Sequence, residues 1–184
     1  WQLKNFSVKT AGNGRQIFLR FPVLKDLGLA GQNESDILFL RLDLSAADSD
    51  FYTEEISIKT AQNLSFIVKR YSLPDLFSSK IAAILQRTFK KGKGDLITFK
   101  GRDYFDLVWF LEKKVAPNDK RLEDILGKKK KDIIMELNKK VGLVKTEYLQ
   151  EDLSPLFTDN NFVTNFCHNY QQIYQNLKNG LIII

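Results

Sequence analysis

Apolar residues alternate with polar ones over much of the first 71 positions and recur every three to four residues after that, so the chain changes its structural period once. Residues 37–45 show the first regime most clearly. Leu38, Leu40, Leu42 and Leu44 take one face of a strand, and Ile37, Phe39, Arg41 and Asp43 take the other. Stretches 3–10 and 16–21 flank Ala11-Gly12-Asn13-Gly14, a turn-forming cluster that predicts a hairpin, and Pro22 ends its second strand. Residues 28–35 read as loop, and 56–60 and 66–71 as short strands.

Beyond Tyr71 the pattern is helical. Ser72 and Asp75 are spaced as a capping pair, and Pro74 sits in a first turn, where its missing N–H costs little. Leu73, Leu76, Phe77, Ile81, Ile84 and Leu85 carry the helical period to about residue 89. Residues 90–101 read as a basic, glycine-containing loop, and a second helix runs over 102–114, stopping before Pro117. Asn118 or Asp119 caps a short helix to 126, and another covers 128–140, ended by Gly142. Ser154-Pro155 marks a break. A long amphipathic helix over 159–178 buries Phe162, Phe166, Tyr170, Ile173, Tyr174 and Leu177. Strands first and helices after predict an α+β protein, with a β-rich part over 1–71 and a helical domain over 72–184.

Composition narrows this picture only a little. With 184 residues, 43% hydrophobic and 27% charged, the chain is long enough for one sizeable core and is not a disordered segment. A net charge of +6 and a pI near 9.3 favour polyanions such as nucleic acid, nucleotides or a membrane surface, and select none of them. Much of the excess lies in 90–100 and 128–131. A single cysteine, Cys167, excludes an internal disulfide and a cysteine zinc site; a single histidine, His168, excludes a multi-histidine metal centre. Adjacent helical residues point about 100° apart, so Cys167 and His168 do not make a nucleophile and base pair, and Cys167 reads as a small buried hydrophobe. Apolar runs fall short of a membrane span or a signal peptide, and a reducing, cytoplasmic setting fits. The chain opens on Trp1 without methionine, which suggests the later part of a longer protein.

Chemistry concentrates in 71–111. Lys80 shares a helix side with Leu76, Phe77, Ala83 and Ile84, so it either snorkels to water or is held at the core edge as a phosphate ligand. Asp103 and Asp106 project from one side of the second helix. Asp103 suits a helix N-terminus and Asp106 has i,i+4 spacing to Arg102, yet Tyr104, Phe105, Leu107, Val108, Trp109, Phe110 and Leu111 make this helix apolar nearly all round. A carboxylate there needs a partner, and Lys80 and Arg87 are the candidates. Asp43 is open between a solvent-facing aspartate and a ligand for a divalent ion. Glu54 and Glu55 read as plain loop or strand-edge charges, and Asp48-Ser49-Asp50 as loop. No Walker or Rossmann glycine loop occurs.

The run Leu76-Phe77-Ser78-Ser79-Lys80-Ile81-Ala82-Ala83-Ile84-Leu85-Gln86-Arg87, followed by Gly101-Arg102-Asp103-Tyr104-Phe105-Asp106-Leu107, resembles the AbiEii/AbiGii toxin family. Its members are nucleotidyltransferases of DNA polymerase β-like fold, associated with abortive infection and toxin–antitoxin systems. The family's lysine helix matches Lys80, and its Arg-Asp-x-x-Asp-Leu signature matches Arg102, Asp103, Asp106 and Leu107. Leu40-Arg41-Leu42-Asp43-Leu44-Ser45 is similar to the strand that carries the third acid, at Asp43. The resemblance implies that 1–71 holds the later strands of a nucleotidyltransferase-like mixed sheet. It implies Asp43, Lys80 and Asp103 as catalytic residues, Asp43 also as a ligand of Mg²⁺, and Lys80, Arg87, Arg102 and Asp106 as nucleotide-binding support. Lys90, Lys91 and Lys93 would then meet an RNA backbone, tRNA by family analogy. A nucleoside triphosphate is the implied substrate and a cognate antitoxin protein the implied partner, with no membrane involved. The family's glycine turn and Asp-x-Asp metal pair are expected upstream of Trp1. The rival readings are a non-catalytic interaction module and an RNA-binding module without chemistry.

Overall fold

Gly12, Asn13 and Gly14 all adopt the left-handed backbone region, with φ of 59°, 54° and 82°. Glycine and asparagine tolerate that region best, which is why this cluster turns the chain. In the computed structural model, which describes residues 5–61, 63–87, 89–91, 95–97 and 99–181, this turn joins β1 (Ser7–Ala11) to β2 (Gln16–Pro22). β3 (Ile37–Asp43) completes a three-stranded antiparallel sheet in the order β1-β2-β3. Register sets Leu19 opposite Leu40 and Ile17 opposite Leu42, so one face is apolar. On the other, Phe18 lies opposite Arg41 and Arg20 opposite Phe39, with the guanidinium carbons 5.9 and 5.4 Å from the ring centres. The alternation read from the sequence holds, yet both faces of β3 remain about half exposed.

The chain divides into two compact units between Asp48 and Ser49. The hairpin of β4 (Glu54–Ala61) and β5 (Leu64–Tyr71) lies in the same unit as the helices. Its cross-strand ion pairs, Glu55 with Arg70 at 2.7 Å and Glu54 with Lys69 at 2.6 Å, place both glutamates on strand rather than loop. Every strand pairing among the described residues is antiparallel.

Helix α1 (Leu73–Gln86) starts as the sequence predicts, with Ser72 as N-cap and Pro74 in the first turn. It ends three residues earlier than expected, at Gln86, and Arg87 follows with extended backbone. The expected loop over 90–101 contains a small hairpin, β6 (Phe89–Lys91) with β7 (Asp95–Ile97). Three-residue strands are too short to leave a period in the sequence. Next come α2 (Gly101–Glu112), α3 (Asp119–Leu126) and α4 (Lys130–Gly142). Helix α5 (Thr146–Leu153) lies where the pattern predicted nothing; its two buried leucines, Leu149 and Leu153, are one turn apart and too few to register. Ser154-Pro155 begins a single 3₁₀ turn (Ser154–Leu156), and α6 (Asn160–Leu177) is the expected long helix.

The core of the second unit is helical. Phe77 and Ile81 of α1, Leu107 and Leu111 of α2, Leu137 of α4, Leu149 of α5 and Tyr170 and Tyr174 of α6 are all buried within it. Helix α1 packs on α2, α3 and α4, and α2 packs also on α5 and α6. Because α1 and α2 are neighbours in this bundle, a charge placed at the edge of one meets a charge at the edge of the other. None of the described helices is long and apolar enough to cross a membrane.

Candidate functional site

Lys80 does not snorkel to water. Its ammonium lies 2.9 Å from Asp103 Oδ1 and 2.7 Å from Asp106 Oδ2, and its side chain is only 23% exposed. Two carboxylates three residues apart share a side of α2, so one cation reaches both. Asp103 is itself buried, at 2% exposure, and its second oxygen accepts from Arg87 Nη1 at 2.5 Å. Lys80 and Arg87 stand seven residues apart, about two helical turns, and therefore leave α1 from the same side. Asp103 bridges them.

The end of α1 is itself pinned. Lys140 of α4 donates to the carbonyls of Ile84 (2.8 Å) and Leu85 (2.9 Å), capping a last turn that has no basic residue of its own. Burial pushes the Lys140 ammonium down, with Glu136 opposing. This cap fixes the point where Arg87 leaves the helix.

The surroundings are cationic. Burial pushes the Lys100 ammonium down, and the like charges of Arg102 and Arg87 add to that while Asp103 opposes it. Lys80, Arg87, Lys100 and Arg102 thus share one neighbourhood with the carboxylates of Asp103 and Asp106, and Asp152 stands beside it on the Gly101 amide. Below Asp103, Tyr104 stacks on Phe99 at 4.9 Å between ring centres, and burial followed by the charge of Asp103 raises its phenol to about 12.

The remaining candidates are distributed as follows. Arg102 is exposed and makes no i,i+4 pair with Asp106, which turns to Lys80 instead. Asp43 ends β3 in the first compact unit, exposed, and accepts from Arg41 Nε (2.9 Å) and Nη2 (2.7 Å) on one oxygen. Lys93, and the side chains of Lys90 and Lys91, lie outside the described residues. The second basic run is largely neutralised: Lys128 pairs with Glu136 at 2.6 Å and Lys130 with Asp119 at 2.8 Å. Cys167 is buried, and burial pushes its thiol up, so it has no thiolate character. An open cavity of about 410 Å³ is lined by Glu54, Lys69, Arg70, Tyr71 and Leu76, and its cations are already paired.

Among the described residues no three histidine, cysteine, aspartate or glutamate side chains converge as metal ligands. Asp103 has both oxygens committed to cations. The described residues do not by themselves assemble a Mg²⁺ centre.

Sequence reading missed Lys100, assigned to a loop, whose only signal is its place just ahead of α2. It also missed Arg121 and the long-range role of Asp75, which together tie the start of α1 to α3 and to the segment before β4. Arg121 lies among Asp119, Lys120, Glu123 and Asp124, where one more charge does not stand out.

A family model described as "Nucleotidyl transferase AbiEii toxin, Type IV TA system" matches residues 5–171. No curated protein and no solved structure matches the chain.

Proposed function

The chain belongs to the nucleotidyl transferase AbiEii toxin family of type IV toxin–antitoxin systems, and from that premise we propose that Lys80 and Arg87 hold the triphosphate of a nucleotide during its transfer to RNA. The observation that carries this reading is the partial commitment of Lys80. An ammonium has three donors. Two are engaged by Asp103 and Asp106, and the third has no partner among the described residues. A lysine held this way is oriented before substrate arrives, so little ordering cost falls on binding.

In the reaction, an acceptor hydroxyl of the RNA forms a bond to the α-phosphorus and passes its proton to solvent water. The bond from that phosphorus to the bridging oxygen breaks, and pyrophosphate leaves. Charge builds on the departing oxygens, and Lys80 and Arg87 neutralise it. Asp103 orients both cations, Asp106 orients Lys80, and Arg102 adds to the positive field. Asp43 would supply one ligand for Mg²⁺ together with further acids that the described residues do not provide, and the ion would then contribute Lewis-acid polarisation of the phosphates. The strands of 1–71 serve as the β-rich part of the transferase core, and 72–184 as the helical domain. Lys90, Lys91 and Lys93 meet the RNA backbone, tRNA being the preferred acceptor. The setting is cytoplasmic, where triphosphates and tRNA are found, and an antitoxin is the cognate partner.

One observation favours a rival: a buried carboxylate saturated by two cations is also what a purely structural lock looks like. The two readings separate on nucleotide binding by the full-length protein. With Mg²⁺ and each of the four α-labelled triphosphates, binding should fall about tenfold or more in Lys80→Ala, the size of one charge-assisted hydrogen bond. Label should pass from one of the four to tRNA, and Lys80→Ala should abolish that. A wild-type protein that binds no triphosphate, with Lys80→Ala losing only thermal stability, supports the lock and ends the transferase reading.

A further inference from the structure

We propose that Asp152, on the helix that the sequence pattern did not reveal, is a positioning residue for the Lys80–Asp103 pair. Helix α2 opens at Gly101 with Lys100 as N-cap, and the Lys100 side chain makes no capping hydrogen bond. The first N–H groups of a helix have no partner within it. The Gly101 amide finds one outside, donating to Asp152 Oδ2 at 2.6 Å, 51 residues along the chain. Helix α5 thus supplies the acceptor that α2 lacks, and a carboxylate there also meets the positive end of the helix dipole.

Gly101 makes the approach possible. A Cβ at this position would lie 2.7 Å from Asp152 Cβ and 3.3 Å from Leu149 Cδ1. The near atom is the stem of Asp152 and not a flexible tip, so one of the helices would have to shift. Leu149 and Leu153 anchor α5 in the core at 0% and 1% exposure, which leaves α2 as the element that gives way. Asp103 sits in the same first turn, two residues from Gly101. A displacement at Gly101 therefore reaches the carboxylate that holds Lys80 and Arg87, whose hydrogen bonds of 2.9 and 2.5 Å do not survive a shift approaching 1 Å.

The functional arm of this inference rests on the proposed role of Lys80; the structural arm does not. Full-length Asp152→Ala, Asp152→Asn and Gly101→Ala are compared with Glu147→Ala, an exposed control on the same helix. The readouts are amide exchange at 101–103, the ¹⁵N ammonium resonance of Lys80, and Mg²⁺–triphosphate affinity. Asp152→Ala and Gly101→Ala are expected to speed exchange at these amides about tenfold, to shift or broaden the Lys80 resonance, and to weaken triphosphate binding about fivefold. Asp152→Asn retains an acceptor oxygen and should stay within about twofold of wild type. Alanine is a better helix former than glycine, so a loss in Gly101→Ala reports crowding and not propensity. An unchanged Lys80 resonance in both Asp152→Ala and Gly101→Ala overturns the proposal, as does exchange that rises equally throughout α5. If the resonance moves as expected while the wild type binds no triphosphate, the positioning role stands and the transferase reading fails. Should Asp152→Ala not fold, Gly101→Ala and Asp152→Asn carry the same comparison.

Discussion

The Arg121 guanidinium sits 4.9 Å from the centre of the Tyr71 ring, buried at 1% exposure, and among the described residues it bonds to neutral acceptors. Nε and Nη2 donate to Ser79 Oγ at 3.3 and 3.2 Å, and Nη1 donates to the Ser49 carbonyl at 3.3 Å. One side chain of α3 therefore ties α1, the end of β5 and the segment before β4 together. A planar fork with several donors suits this role, and a flexible ammonium does not.

Arg121→Ala is accordingly expected to cost about 3 kcal/mol, because it leaves Ser49 and Ser79 unmet in a buried setting. Arg121→Lys should recover less than half of that loss. Urea unfolding measures both, as lower midpoints with unchanged slopes. A lysine variant as stable as wild type would show that charge alone matters at this position.

Asp75 faces the same network with 1% exposure. Burial on its own would push its carboxyl up, but Ser72, the Thr53 amide, Asn118 and the charge of Arg121 together outweigh burial and hold it below 3.8. The hydrogen bonds are 2.5 Å from Ser72 Oγ, 2.8 Å from Thr53 N and 2.7 Å from Asn118 Nδ2. A folded value below the unfolded one means that the unfolded chain binds the proton more readily. The stabilisation is therefore complete above about pH 4 and is lost as pH falls through the lower folded value. Asp75→Asn should be less stable at neutral pH by about 1–2 kcal/mol. The gap between the two urea midpoints should narrow as the pH falls below 4; a constant gap would count against the carboxylate as the group responsible.

How far the sequence pointed to this site depends on the kind of signal. Ser72, Pro74 and Asp75 marked the start of α1 because capping is local chemistry. Lys80, Asp103 and Asp106 drew notice because charge on an apolar helix needs a partner, and the ion pairs supply it. Asp75 was read only as a cap, while 43 residues separate it from Asn118, a pairing that no periodicity encodes. Helix α5 and Asp152 stayed hidden for a similar reason. Their contribution is made across the bundle to the amide of Gly101, and nothing in an eight-residue stretch announces a cap for another helix.

High pH tests the packing beneath Asp103. Burial and the Asp103 charge raise the Tyr104 phenol to about 12, and burial also raises Tyr170 and Tyr174. Unfolded tyrosine ionises near pH 10. A folded value above the unfolded one gives stability that is present below about 10 and drains away as pH rises toward 12 and beyond. These three of the six tyrosines should therefore stay protonated until the fold opens. Tyrosinate absorbance should then rise in one step that coincides with loss of helical circular dichroism. Tyr104→Phe should move that step to higher pH. Ionisation of all six tyrosines before any helix is lost would contradict the burial described for this core.

The two lysine-rich stretches should behave differently toward RNA, although the sequence presents them alike. Lys128 and Lys130 already face Glu136 and Asp119 at 2.6 and 2.8 Å, and Lys129 lies 3.7 Å from Glu123. A lysine that keeps its carboxylate releases few counterions when a phosphate approaches. Lys128→Ala combined with Lys130→Ala should leave RNA affinity within about twofold of wild type. Replacing Lys90, Lys91 and Lys93 by alanine should weaken binding and flatten its salt dependence, by about 0.7 in log–log slope for each single-strand phosphate the protein no longer neutralises. Titration of a labelled tRNA across a range of salt concentrations gives both quantities together. Equal losses from the two sets would mean that the ion pairs at the start of α4 open on binding, and the basic surface would then extend across both stretches.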